Sequence, residues 1–385
     1  MSRPKPLPRW ADLALLPVAG LLAALLLSGG IIALLGESPV QALKLMVTGA
    51  AGSQDAIGYS LYYATNFMFT GLAVAVAYHA GLFNIGGEGQ AYVGGLGVGL
   101  VCLGLGHWPF WAVLPVAVLA AAGFGAAWAF LPAWLQARRG SHIVITTIMF
   151  NFIASALMTY LLVNVLIKPG QQSPETREFA ANTWMPFAHE LLAKAGINFS
   201  ATPLNLAFGL ALAAAGFVWV FLWHTRWGYE LRVVGQNQPA AVYAGISPAR
   251  ITVVAMLLSG ALAGGLGLNE LMGSQHRILI DFPSGAGFVG IAVALMGRNH
   301  PVGIFLAAVL FGALYQGGSQ LTFDMPRINR DMVVVIQGLV ILACGALENM
   351  FRQPLAALFG VFGGRPPVAS APSVAAIQPP EEKQS

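Results

Sequence analysis

Ten apolar runs, separated by short polar intervals, make up most of this chain. They fall near residues 11–35, 60–79, 90–106, 109–132, 143–167, 204–223, 251–272, 285–297, 301–319 and 332–349. A helix that crosses a hydrocarbon core of about 30 Å needs about 20 apolar residues. Most of these runs reach that length, and 285–297 is the short exception. The pattern predicts an all-α polytopic membrane protein with about ten spans. The first run follows the basic segment MSRPKPLPRW. It is longer than the apolar core of a cleaved signal peptide and long enough to cross the bilayer, so it reads as a retained first span.

Composition agrees. The 385 residues are 57% hydrophobic and 9% charged, where a soluble domain carries about 25% charged residues. Cys102 and Cys344 both lie in apolar runs, which argues against a disulfide framework or a metal site. The formal charge of +4 does not imply nucleic acid, because the basic residues are scattered between spans. With the amino terminus inside, twelve Lys and Arg fall on the cytoplasmic side and seven outside, three of those in one loop. The bias predicts both termini in the cytoplasm. The seven histidines are dispersed, with no HExxH and no GxxxxGK[ST] phosphate loop. Catalytic residues, a metal and a cofactor of its own are therefore not expected in this chain.

The stretch YHAGLFNIGGEGQAYVGGLGVGL, residues 78–100, is the one conspicuous break in the apolar pattern. Asn84, Gly86, Gly87, Glu88 and Gln90 place hydrogen-bonding side chains and one carboxylate between two apolar runs. Irregular backbone at membrane depth is tolerated only when buried in protein or lining a watered cavity. One reading is a broken-helix element on a translocation path with Glu88 as its polar determinant. The other is a turn between helices with Glu88 solvated. The segment GAGFVGIAVALMG, 285–297, repeats the glycine-rich character before the turn RNHP. It would run opposite to 90–106, so an inverted internal repeat is expected.

Two segments outside the spans carry their own grammar. Residues 38–56 contain a weakly amphipathic stretch, read as lying at the membrane surface. The external loop 168–203 contains a possible short helix within 185–195, either a docking surface or a cover for the bundle. In the cytoplasmic loop 224–250, Asn237 can cap a short helix with Pro239 in its first turn. Gly245 can end that helix, and Ser247-Pro248 can cap the next span. The small residues Ala240, Ala241 and Ala244 would be exposed for close approach by another surface. Residues 361–385, rich in Pro, Ala and Ser, cannot bury a core and read as a disordered cytoplasmic tail.

The segments GLFNIGGEGQ (81–90), RWGYELRVVGQNQPAAVYAGI (226–246) and GRNHP (297–301) together resemble the permease subunits of ABC importers of the simple-sugar and nucleoside type. The chain is similar in particular to the longer of the two permeases of nucleoside importers. That resemblance makes residues 1–360 a transmembrane permease domain of the bacterial cytoplasmic (inner) membrane. It implies a second permease subunit in a heterodimer, a cytoplasmic ABC ATPase that binds the ATP, and an external substrate-binding lipoprotein. By the same analogy Gly235, Asn237, Ala240, Ala241 and Gly245 belong to a coupling helix in a groove of the ATPase, and 84–90 lies on the pathway. The rival reading is an ion-coupled secondary transporter using Glu88 and Glu270. Phe67, Phe69, Phe83 and Phe288 could stack on a substrate ring or simply pack.

Overall fold

The computed structural model describes residues 15–325 and 327–345. The expected tail at 361–385 lies outside the described residues. Fourteen α-helices follow one another among those residues: α1 Leu16–Leu34, α2 Pro39–Ala51, α3 Gln54–His79, α4 Gly87–Gly104, α5 Phe110–Arg139, α6 Ile143–Asn164, α7 Ala188–Lys194, α8 Ala207–His224, α9 Arg226–Gln236, α10 Gln238–Tyr243, α11 Pro248–Gly264, α12 Ala286–Met296, α13 Pro301–Asp324 and α14 Arg330–Gly345. No strand occurs among the described residues, only isolated bridges. Among the described residues, six helical stretches are long and apolar enough to cross a membrane: α3, α5, α6, α8, α13, and α11 with its continuation to Gln275. Each of the ten apolar runs contains a helix.

The layering is set by which helix is covered on all sides. The span window of α3 is 89% buried, against 22% for those of α5, α6 and α8. α3 is therefore the axis of the bundle, packed by α13, α12, α11 and α8, and the outer helices keep an apolar face bare. Helices in lipid gain little from apolar burial, so close packing must hold them. Here glycines bring backbones into contact. A Cβ on Gly260 of α11 would stand 2.3 Å from the Gly125 carbonyl of α5, and one on Gly94 of α4 2.4 Å from the Gly264 Cα of α11.

The main interruption lies after α11. The helix widens into a π-helical stretch, Leu268–Gln275, and then unwinds. His276, Asp281 and Ser284 take left-handed backbone (φ 53°, 56° and 48°) before Gly285 (φ 81°) leads into α12. With 11 residues, α12 is roughly 16 Å long, about half a membrane. It pairs with the second half of α3: Thr70 Oγ1 donates to the Ala286 carbonyl at 3.0 Å, and the His79 ring meets the Asn299 carbonyl at 3.0 Å.

Two segments outside the spans gain detail in the structure. In 38–56, α2 keeps Val40, Leu43 and Val47 exposed on one face. α2 buries Ala42, Met46, Gly49 and Ala50, packing on α13 so closely that a Cβ on Gly317 would stand 2.4 Å from the Met46 carbonyl. The 224–250 loop holds two helices rather than one. Thr225 caps α9, its hydroxyl accepting from Gly228 N at 3.1 Å, and α9 buries Leu231 and Val234 along one face. The expected caps of the second helix stand: Ala240 N donates to Asn237 Oδ1 at 3.0 Å, and Gly245 has φ 75°.

Candidate functional site

The turn between α3 and α4 begins as a glycine cap. Gly81 takes left-handed φ 74°, and Leu82 N reaches back to the Ala77 carbonyl at 3.0 Å, closing the helix end. Asn84 then organises the start of α4. Its Oδ1 accepts from Gly86 N at 2.8 Å and from Gln90 Nε2 at 3.2 Å. Its Nδ2 donates to Gln90 Oε1 and to Ser259 Oγ, both at 2.8 Å. The Ser259 hydroxyl in turn donates to the Ala73 carbonyl at 2.6 Å. Asn84, Gln90 and Ser259 are almost wholly buried, and each has its hydrogen bonds met within the protein.

Asn151 of α6 braces the same turn from the other side. Its Nδ2 donates to the Ile85 carbonyl at 2.9 Å and its Oδ1 accepts from Gly89 N at 2.9 Å, which satisfies a first-turn N–H of α4. Gly86 and Gly89 are tight: a Cβ would stand 2.9 Å from Gln90 Nε2 and from Asn151 Oδ1 respectively. Gly87 is not, with its nearest contact, the Gly287 carbonyl, at 3.5 Å.

Glu88 reaches across to α12. Its Oε1 accepts from Gly285 N and its Oε2 from Gly287 N, both at 2.7 Å. A carboxylate here satisfies two N–H groups at a helix start and meets the positive end of that helix. One turn along α4, the Tyr92 hydroxyl accepts from Asp281 N at 2.7 Å. α4 thus pins the irregular segment 281–287 at two points. The 84–90 residues are brought together, as parts of one buried network and one helix cap.

A second polar cluster sits nearer the other end of α3. Asn66 Nδ2 donates to Glu270 Oε1 at 2.6 Å, and Asn269 Nδ2 donates to Asn66 Oδ1 at 2.8 Å and to the Tyr62 carbonyl at 3.1 Å. Asn205 of the α7–α8 connection donates to Asn269 Oδ1 at 2.9 Å. This cluster borders a cavity of about 420 Å³ that Tyr62, Tyr63, Phe67, Glu270, Gln275 and Tyr315 help to line. Of the phenylalanines picked out in the sequence, only Phe67 lines it. Asn66, Asn151, Asn205, Ser259 and Asn269 do not stand out as a motif in the sequence. Their signal is nonetheless there: a lone polar side chain inside an apolar run.

The long loop after α6 clamps the segment that follows α11. Thr176 N donates to the Ile278 carbonyl at 3.1 Å and Phe179 N to the His276 carbonyl at 2.7 Å. Arg277 pairs with Glu175 at 3.1 Å, and Trp184 stacks on His276 at 4.0 Å. Burial pushes the His276 pKa below its ordinary value, against the pull of Glu178.

At the opposite end of the bundle, Gly235 of α9 packs on the α3–α4 turn, where a Cβ would stand 2.2 Å from the His79 carbonyl. α10 hangs beside it. Ala241 is fully buried against the chain's own helices, contrary to the exposed face expected for it, because it lies on the inward side of this short helix. Ala240 and Ala244 are exposed. Tyr243, part of the 226–246 motif but not singled out within it, is 95% exposed, and Val242 is 59% exposed.

Residues 56–345 match the family described as the permease component of the branched-chain amino acid transport system. Among curated proteins the chain is 36% identical to a glucose ABC transporter permease protein of Haloferax volcanii, over 85% of each chain. It is 35% identical to a guanosine ABC transporter permease protein of Bacillus subtilis, over 84% of this chain and 91% of that one. With a nucleoside ABC transporter permease protein of Lactococcus lactis the identity is 32%, over 85% and 89%. On the match and these identities, with its buried polar axis and bare apolar rim, the chain belongs to the ABC transporter permease family.

Proposed function

We propose that this chain is the transmembrane subunit of an ATP-driven importer of nucleosides or related sugars in the cytoplasmic membrane. It would form the translocation pathway together with a second permease, spanning the bilayer about ten times with both termini inside. A separate cytoplasmic ATPase supplies the energy, and an external binding protein delivers substrate. The observation that carries this reading is the α9–α10 element. One side is held by the chain itself, through Ala241 and through Gly235 on the α3–α4 turn. The other side presents Tyr243 and Val242 to solvent, as a contact for a soluble partner would. The pathway role of 84–90 is then indirect: motion of α9 reaches the turn at Gly81, and Glu88 transmits it to α12. The substrate class rests on the names its relatives bear. The rival ion-coupled reading needs free carboxylates, whereas Glu88 is engaged by two backbone N–H groups.

The test is reconstitution. With its ATPase and second permease, the chain should concentrate labelled substrate when ATP is added. Accumulation by this chain alone under a proton or sodium gradient would overturn the proposal.

A further inference from the structure

Inside the bundle, a cavity of about 420 Å³ sets an aromatic wall against a polar edge that includes the buried Glu270. A neighbouring cavity of about 480 Å³ shares Tyr63 and Tyr315 but has no acidic or basic residue among its lining residues. The size of the first falls in the range of small-molecule sites, about 300–1,000 Å³. The wall is continuous: the ring centroids of Tyr62 and Tyr63 are 5.3 Å apart, those of Tyr63 and Tyr315 4.8 Å, and those of Phe67 and Tyr315 5.9 Å. It joins α3 to α13, two elements far apart in sequence. Across from it stand the Glu270 carboxylate, held by Asn66 at 2.6 Å, and the half-buried Gln275.

We infer that this cavity binds the base and ribose of an unphosphorylated nucleoside, with the base stacked on the Tyr63–Tyr315 wall and hydroxyl or amino groups donated to Glu270 and Gln275. The inference rests on the importer reading above and adds the site and its selectivity. Aromatic rings stack on any flat π-face. A carboxyl group offers mainly acceptor oxygens, so the polar edge suits a donor-rich solute such as a nucleoside with its hydroxyls and amino groups. The charges lining the cavity are Glu270 and Asp281, with no Lys or Arg among the lining residues. A phosphate would enter desolvated, without a counter-charge and beside two acids. The nucleotide is therefore excluded where the nucleoside is admitted, a discrimination made by repulsion.

The floor of this cavity is the segment that α4 pins. Asp281 and Ala286 line it, Tyr92 holds Asp281 N, and Glu88 holds Gly285 N. A shift of α4 would therefore change the cavity without any residue of the 84–90 turn touching substrate.

The experiment uses the whole transporter, with both permeases, ATPase and binding protein, reconstituted in vesicles. It reads the KM for ATP-driven uptake of labelled guanosine, with co-purification of the ATPase as the check on assembly. Tyr63→Ala and Tyr315→Ala should each raise KM at least about tenfold, the scale of one lost base-stacking contact, while Tyr63→Phe stays within about threefold. Guanosine monophosphate should not compete for binding of labelled guanosine to the complex of the two permeases and ATPase. Should an alanine variant fail to assemble, Gln275→Leu on the half-buried edge carries the test, with a KM raised about fivefold or more.

Unchanged KM in Tyr63→Ala, Tyr315→Ala and Gln275→Leu, while the wild type imports guanosine, would overturn the site and leave the importer reading standing. ATP-driven uptake of glucose without guanosine, or equal competition by the monophosphate, would overturn the nucleoside assignment alone. Gradient-driven uptake without ATP would overturn the importer reading itself.

Discussion

Asn84 and Glu270 are both polar side chains buried on the bundle's axis, and their surroundings differ in kind. Asn84 spends both donors and its acceptor oxygen on the protein, with Gly86, Gln90 and Ser259 as partners. Glu270 is held by the Asn66 amide yet borders a cavity of about 420 Å³ with an aromatic wall. The first arrangement is closed, since a satisfied network in low dielectric fixes one geometry and is costly to open. The second retains a face toward space that a solute can fill. The conspicuous glycine motif is thus built as a joint, and the less conspicuous tyrosines are built as a site.

The comparison breaks most sharply at Glu88, which serves the joint and not the cavity. Glu88→Ala leaves the N–H groups of Gly285 and Gly287 without acceptors, a loss on the order of 3 kcal/mol. We expect a clear fall in the thermal unfolding midpoint of the purified protein, with Glu88→Gln intermediate because an amide offers one acceptor oxygen. Unaltered stability together with impaired uptake would move Glu88 from the joint to the pathway.

Next in size is Asn84→Ala, which strips partners from Gln90, Gly86 and Ser259 at a cost of about 1–3 kcal/mol. Stability and transport should fall together here. In Gln275→Leu they should separate, with uptake affected and the unfolding midpoint nearly unmoved. If the two variants behave alike in unfolding and uptake assays, the distinction between closed network and open site fails.

A smaller effect on the fold, within about 0.5 kcal/mol as for exposed positions generally, is expected from Tyr243→Asp. Its consequence should appear instead as lost co-purification of the ATPase. Ala241→Arg should do the reverse of a clean contact mutation, because the position is buried: it should disturb α10 before any partner arrives. Retained ATPase binding in Tyr243→Asp would show that the exposed face is not the contact.

The smallest effect is a pH dependence at the loop clamp. Burial lowers the His276 pKa in the folded protein, so folding favours the neutral ring. Stability should be full above the ordinary value of about 6.5 and decline as the pH falls through it toward the lower folded value. Unfolding midpoints between about pH 7.5 and 5.5 should show this slope, and His276→Phe should flatten it. An equal slope in the variant would assign the dependence elsewhere.

Much of the architecture was legible in the sequence because the bilayer imposes it. An apolar run in lipid must satisfy its backbone as a helix, and each of the ten runs contains one. Capping signals were equally local: Asn237, Gly245 and Ser247 do in the structure what their spacing announces. Helix α9 escaped because its pattern is amphipathic and lies outside any apolar run. The inward turn of Ala241 escaped because residue size does not say which face of a six-residue helix meets its own chain.

The candidate site divides in the same way. The presence of Glu88, Gln90 and Glu270 as rare polar groups was evident from the chain alone, as was their weight in an apolar medium. Their partners were not. Glu88 meets Gly285 and Gly287 from a helix almost 200 positions away, and Tyr63 meets Tyr315 across 252 residues. Hydrophobic periodicity and capping are short-range and can be read in one pass along the chain. Which polar group faces a neighbour and which faces a cavity depends on how close the backbones come. Glycine contacts such as Gly125–Gly260 and Gly94–Gly264 decided that when the helices packed.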